Sequence, residues 1–180
     1  DQEIIIFLKK YYPPLVLESF YKLTGAHKAD LFRYCYLYIY GGIYLDIKTE
    51  LIKNIDNIFN KPNVKLYTVL SMFSKTIYQG IIATVPNNPL FKELINHMVT
   101  IRKPVPNYFA FTSKFYKSLQ VACGSELYKK YNKNNVYLFY EKCSVNKSDC
   151  HDGLDRYKRC CYVYDNNMRI IKTRYSDYPW

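Results

Sequence analysis

The sequence has no hydrophobic run long enough to cross a bilayer. Its longest uncharged apolar stretch, Tyr34–Leu45, falls short of the roughly 20 residues that a spanning helix needs. No signal-peptide pattern is visible, and no internal repeat or flexible linker divides the chain. The paired C-x2-4-C spacing of structural zinc sites is missing, which argues against zinc for the six cysteines. No Ser-His-Asp or Cys-His nucleophilic set is discernible. Acidic residues are the minority, 15 against 26 basic, leaving a net charge of +11 that points to an anionic partner. Nucleic acid is the generic candidate, but Lys and Arg are spread along the chain and no nucleic-acid-binding motif is present. An acidic surface or a diphosphate is served equally well.

What the sequence does have is apolar and aromatic bulk. Hydrophobic residues make up 49% and aromatics 18%, which excludes a disordered chain. At 180 residues one domain spanning 1–180 is the natural count. Asp1–Tyr11 reads as a helix with Asp1 placed to cap it, and Pro13-Pro14 separates it from a second helix through Leu23. After Thr24-Gly25 a central helix runs over Ala29–Tyr40. Residues 43–48 read as a strand, and Leu51, Ile52, Ile55, Ile58 and Phe59 are spaced for a short amphipathic helix. Strands are expected at Val64–Met72 and Thr76–Thr84, helices at Leu90–Ile101 and Ala110–Ala122, and a strand at Asn135–Tyr140. Pro104 and Pro106 close the region between the two helices. A terminal hairpin pairs Tyr162–Tyr164 with Arg169–Thr173 around Asp165-Asn166-Asn167. Helices interleaved with strands indicate an α/β sandwich.

Lys28–Glu50 is the stretch around which the rest is organised. The run from Ala29 to Tyr40 is interrupted in its apolar character only by Asp30 and Arg33. Gly41 and Gly42 stop it, as residues free to take positive φ do at a helix C-terminus. Ile43, Leu45 and Ile47 then share one face of the strand, and Tyr44, Asp46 and Lys48 the other. A carboxylate and an ammonium thus meet where the strand ends, the position at which open α/β sheets bind ligands. Taken alone, the Asp46–Lys48 pair reads equally as a surface ion pair. Asp30 and Arg33 have a plain alternative as an i,i+3 helix pair.

These residues carry a resemblance. AHKADLFRY (Ala26 to Tyr34), then GGIYLDIK, then TELIKNIDNIF resemble the DXD sugar-binding region of glycosyltransferase family 32, the group of fungal Golgi mannosyltransferases, capsular sugar transferases and distant toxin relatives. QGIIATVPNNPLF is similar to the family's N-x-I-I-A-S-x-P segment, with Gln79 in place of Asn. YFAFTSKFY resembles its later helix start without the glycine and proline. TRYSDYPW resembles the ending of eukaryotic and large-virus members. One departure matters: the second motif aspartate is Lys48.

The resemblance implies an A-type, Rossmann-like sandwich and transfer of a hexose or N-acetylhexosamine from a UDP- or GDP-sugar to a glycan, lipid or protein hydroxyl, with retained anomeric configuration. It implies catalytic roles for Asp46 and Lys48, and donor binding by Asp30, Arg33, Tyr44, Asp46 and Gln79. Packing is the plain alternative for Tyr44. Asp46 would assist a divalent metal, manganese or magnesium, whereas a protonated Lys48 has no lone pair to offer one. Either a metal completes its shell with water, phosphates and Glu50 or a tail carboxylate, or Lys48 places its own charge on the diphosphate. Asp152, Asp155 and His151 are further candidates. The family's N-terminal strand-helix-strand unit would precede Asp1, so the chain reads as a fragment. The alternative function is a degenerate, non-catalytic sugar- or nucleotide-binding module. Compartment stays open, cytoplasmic slightly ahead of Golgi lumen: reduced thiols suit the first, and disulfides among Cys143, Cys150, Cys160 and Cys161 suit a lumen. Asn146-Lys147-Ser148 is a formal glycosylation triplet, a pattern that also arises by chance.

Overall fold

A computed structural model describes residues 2–101, 107–127, 135–150, 153–154 and 158–173. Asp1, Pro104, Pro106, His151, Asp152, Asp155 and the tail from Arg174 lie outside the described residues. Three helices open the chain: α1 (Gln2–Tyr11), α2 (Pro14–Lys22) and α3 (Gly25–Tyr40). Two short strands follow, β1 (Gly42–Leu45) and β2 (Thr49–Leu51), then α4 (Ile55–Ile58), β3 (Leu66–Leu70) and β4 (Ile77–Thr84). Helices α5 (Pro89–Thr100) and α6 (Ala110–Cys123) precede β5 (Val136–Ser144), β6 (Cys160–Asp165) and β7 (Met168–Thr173). This is the α/β architecture expected, with helices packed on a seven-stranded sheet in the order β1-β4-β3-β5-β6-β7-β2. Among the described residues, β3 and β5 pair in parallel and the other pairs are antiparallel.

The helical side is held by one apolar cluster. Leu31, Tyr34, Cys35 and Leu37 of α3 meet Phe91, Leu94, Ile95 and Met98 of α5, and Phe111, Phe115 and Leu119 of α6. Tyr34, Phe91 and Phe115 form a ring triangle with centroids 5.8–5.9 Å apart. Aromatic pairs at such spacing add to simple area burial. Burial pushes the Cys35 thiol up to about 12, so it stays a neutral packing group. A second cluster fills the other side of the sheet, with Ile58 of α4 set against Tyr67, Val69, Ile81, Phe139, Val163 and Ile171.

The expected strand over 43–48 is shorter, and of its expected apolar face only Leu45 is even partly buried. It ends at Leu45; Ile43 is 44% and Ile47 93% exposed. The reason is position in the sheet. β1 is an edge strand paired only with β4, and the chain turns immediately after it, Thr49 N–H donating to the Asp46 carbonyl at 2.8 Å. Leu51 then lies in β2 rather than opening a helix, and α4 covers Ile55–Ile58 alone. β1 and β2 are opposite edges of the sheet, yet Leu45 and Thr49 are four residues apart. The connection spans at most about 14 Å, whereas seven flat strands would separate their edges by about 29 Å. The sheet must therefore curl toward itself, and the Asp46–Lys48 turn sits where its edges approach.

Two devices fix the near edge. Gly41 ends α3 with φ +64°, and a Cβ there would lie 2.6 Å from Pro86 N and 2.7 Å from the Thr84 carbonyl. Asn87 N–H donates to the Tyr38 carbonyl at 2.7 Å, locking the end of α3 to the turn after β4. That turn starts α5 through Asn88, whose side chain accepts from Leu90 N–H, with Pro89 at the first helical position. In the interior of the sheet, at neighbouring strands β5 and β6, Cys143–Cys161 and Cys150–Cys160 are disulfides, while Cys35 and Cys123 are buried in the helical layer.

Gly41→Ala combines a left-handed backbone with a backbone overlap, and should cost about 2 kcal/mol or more. Denaturant unfolding of the variant checks it, and an unchanged midpoint would show that the α3–β4 junction yields freely.

Candidate active site

The site grows from a slip in the alternation of β4. Ile77 and Ile82 pack into the helical cluster, while Tyr78, Ile81 and Ala83 pack on the other side. Strict alternation would put Ile77 and Ile81 on one face, so the strand changes phase between them, and its pairing with β3 shifts register over the same residues. Gly80 sits at the slip. A Cβ there would run into the Tyr78 ring and lie 2.8 Å from Asp46 Oδ2. The irregularity also turns two carbonyls outward. The Gln79 carbonyl accepts from Arg33 Nη1 at 2.6 Å, and the Gly80 carbonyl accepts from Asp46 N–H at 2.8 Å.

Arg33 is the hub. It projects from α3 with its Nε donating to the Ala29 carbonyl at 3.2 Å. Nη2 lies 3.6 Å from Asp30 Oδ1, and Nη1 lies 3.6 Å from Asp46 Oδ1. The guanidinium also stacks over the Tyr44 ring, 4.6 Å from its centroid. Burial alone would disfavour its charge, but Asp30 and then Asp46 more than offset this and hold its pKa above the ordinary arginine value. The i,i+3 pair with Asp30 is therefore present, though buried and extended to a second carboxylate.

Asp46 is the open end of this relay. Its side chain is 22% exposed, against 8% for Asp30 and 7% for Arg33. Tyr44 donates its hydroxyl to Asp46 Oδ1 at 2.8 Å, so this tyrosine orients the carboxylate. Burial first, then the nearby carboxylates, push the Tyr44 phenol up and keep it a donor. Lys48 follows in the turn with its Nζ withdrawn from solvent, unlike a solvated surface charge. Glu50 stands in β2 opposite Lys172 of β7.

Gln79 is buried, and its amide is engaged by protein groups. With its nitrogen toward Asp30 Oδ1 (3.3 Å) and its oxygen toward Thr112 N–H (3.2 Å) and the Tyr34 hydroxyl (3.1 Å), each of these groups finds a partner. Asp30, Arg33, Tyr44, Asp46 and Gln79 are thus brought into one connected network by α3, β1 and β4.

Three neighbours are not evident from the sequence pattern alone. His27 places Nδ1 3.6 Å from Asp30 Oδ2 and sets its ring edge-on to Phe111 at 4.7 Å; its i,i+3 spacing from Asp30 is the available signal. Gly80, a lone glycine in a strand pattern, signals a bulge. Tyr78 lies near Asp46 and Glu141, and burial, reinforced by those carboxylates, keeps its phenol protonated; nothing local distinguishes it from other strand tyrosines.

Among the described residues, no group of three or more His, Cys, Asp or Glu converges to cage a metal. Of the two carboxylates in the relay, Asp46 is the more exposed. A divalent ion held there would take most of its oxygens from phosphate and water.

The chain matches known proteins. Residues 2–65 match the glycosyltransferase sugar-binding region containing the DXD motif. An uncharacterized glycosyltransferase of Acanthamoeba polyphaga mimivirus is 30% identical over 194 residues, covering 92% of this chain and 72% of that protein. The initiation-specific alpha-1,6-mannosyltransferase of Saccharomyces cerevisiae is 43% identical over 60 residues, 32% of this chain and 12% of the yeast protein. No solved structure matches. The matched segment contains α3, β1 and the Asp46–Lys48 turn, and on that likeness and the near full-length viral one, the chain belongs to the glycosyltransferases that carry the DXD sugar-binding region, enzymes that transfer sugars.

Proposed function

We propose that the domain moves a hexose or N-acetylhexosamine from a UDP- or GDP-sugar to a glycan, lipid or protein hydroxyl, on an A-type, Rossmann-like scaffold. The observation that carries this reading is the buried Asp30–Arg33–Asp46 relay, whose exposed end is the motif aspartate. A buried arginine between two carboxylates is seldom a net gain in stability over an apolar core, and it does give a rigid, oriented carboxylate pair.

In this reading Asp46 accepts hydrogen bonds from ribose or sugar hydroxyls, and Asp30 from sugar hydroxyls deeper in the cleft. Arg33 and Tyr44 fix the Asp46 carboxylate, and Gln79 fixes Asp30 and Tyr34. Positioning of this kind acts by removing orientational freedom before reaction. Lys48 brings its ammonium to the diphosphate side. A divalent ion, when bound, would be held by Asp46 and would neutralise charge on the leaving diphosphate. The acceptor oxygen bonds the anomeric carbon on the face from which the diphosphate departs, and the acceptor's proton passes to the departing phosphate oxygen, which retains configuration and requires no enzymatic nucleophile.

The full-length protein assayed against UDP- and GDP-sugars, with manganese, magnesium or EDTA, tests the reading. Turnover of one donor is expected; tight donor binding without transfer to any acceptor would instead indicate a degenerate binding module. Asp46→Asn should lower transfer by about 100-fold or more while its unfolding midpoint stays near wild type, because the side chain is partly exposed. Arg33→Leu should do the reverse in emphasis: it leaves two carboxylates without their shared cation and should cost about 3–5 kcal/mol. Equal loss of stability in both variants would overturn this division of roles along the relay. Lys48→Ala should raise the metal concentration needed for half-maximal rate, and superimposable metal titrations of variant and wild type would exclude a share for Lys48 in the diphosphate charge.

A further inference from the structure

We propose that this chain matures in an oxidising secretory compartment and carries an N-linked glycan on Asn146. Two independent features meet at one loop. The first is the sorting of the cysteines. Cys35 and Cys123 are buried in the helical layer, away from the β5–β6 region, whose four cysteines are all joined, Cys143 to Cys161 and Cys150 to Cys160. Cys143 and Cys161 face each other directly across the β5–β6 ladder, with Cα atoms 4.0 Å apart, and Cys150 reaches back to Cys160 with 5.7 Å between Cα atoms. Paired disulfides of this kind persist in the secretory lumen and on secreted proteins, and are rare where glutathione keeps thiols reduced.

The second feature lies between Cys143 and Cys150. Asn146-Lys147-Ser148 is the one Asn-X-Ser/Thr triplet of the sequence with X other than proline. Its three residues are exposed, as is Val145 at 77%. Asn146 has extended backbone, φ −84° and ψ 123°, and its side-chain oxygen accepts from Ser148 N–H at 3.4 Å, an Asx turn. The turn occupies the carboxamide oxygen and leaves the nitrogen, the atom that takes the sugar, without a partner among the described residues. Ser144 supports the bend, its hydroxyl accepting from Asn146 N–H at 3.1 Å and donating to Asp149 at 2.7 Å.

The modification balances with a lipid-linked diphospho-oligosaccharide as co-reactant, supplied by the compartment's oligosaccharide-transfer machinery. Asn146 Nδ2 loses a proton and bonds the anomeric carbon, as that carbon's bond to the lipid diphosphate breaks and the diphosphate leaves. This assignment is independent of which donor the enzyme itself uses.

The test is peptide mapping of the full chain isolated from its natural source. Alkylation without reduction should leave Cys143–Cys161 and Cys150–Cys160 as linked peptides, and peptide N-glycosidase should release a glycan and convert Asn146 to Asp. Unmodified Asn146 in a chain with both disulfides formed overturns the glycan, and free thiols at all four positions overturn the compartment. Expressed in a secretory host, Ser148→Ala and Asn146→Gln should both lose the glycan and Ser148→Thr should keep it. A shift that survives Ser148→Ala would place the sugar elsewhere and overturn the assignment.

Discussion

The constraint on which the structure depends is the burial of one guanidinium. Arg33 loses its water in the helical layer, and an uncompensated charge there would cost several kcal/mol. It is met by Asp30 one turn earlier, by the Gln79 carbonyl and by Asp46, at 3.6, 2.6 and 3.6 Å. Asp30 and Asp46 come from α3 and the turn after β1, and the Gln79 carbonyl comes from β4, 46 residues on from Arg33. Satisfying Arg33 therefore requires α3, the end of β1 and the slipped segment of β4 to be in place together. The Gly41 contact with Thr84 and Pro86 brings the same elements to the same register by packing alone, so charge and close approach point to one arrangement.

The local half of this is legible in the sequence. Asp30 and Arg33 stand out because two charges in an apolar helix require a reason, and Gly41-Gly42 marks the helix end through backbone freedom. What stays hidden is non-local. The alternation of Ile43, Leu45 and Ile47 continues through the chain reversal, with no proline or glycine after Gly42 to mark it, and only the pairing of β1 with β4 and of β2 with β7 shows that the run is split between two sheet edges. Gln79 reads from the sequence as a group that touches sugar. Its orientation depends on a phase slip in β4, and that slip turns its amide inward to Asp30, Tyr34 and Thr112. Such a slip is a property of paired strands, and a single strand's pattern carries little of it beyond the glycine.

The cysteines illustrate the same division. Their crowding toward the end of the sequence leaves both reduced and bridged states open, the reduced slightly ahead. The choice follows from antiparallel pairing of β5 with β6, which sets Cys143 opposite Cys161 and brings the start of β6 within reach of Cys150. Neither strand alone fixes that register.

The relay also bears on what Lys48 replaces. A transferase releasing a diphosphate needs positive charge near two phosphates, and an arginine in the cleft is the obvious donor of it. Arg33 cannot fill that role, because its fork is committed to two carboxylates and a carbonyl, and turning it outward would strand Asp30 in the interior. Asp46, being paired with Arg33 and held by Tyr44, keeps one oxygen beside the Gly80 backbone, where absence of a Cβ leaves room. In the proposed transfer the remaining charge would come from a cation on that oxygen, from the lysine two residues on, or from both. A lysine at the second aspartate position lowers the negative charge that would attract a metal and supplies positive charge in the same place, so the two changes compensate electrostatically for a diphosphate even though they are opposite in kind for a metal.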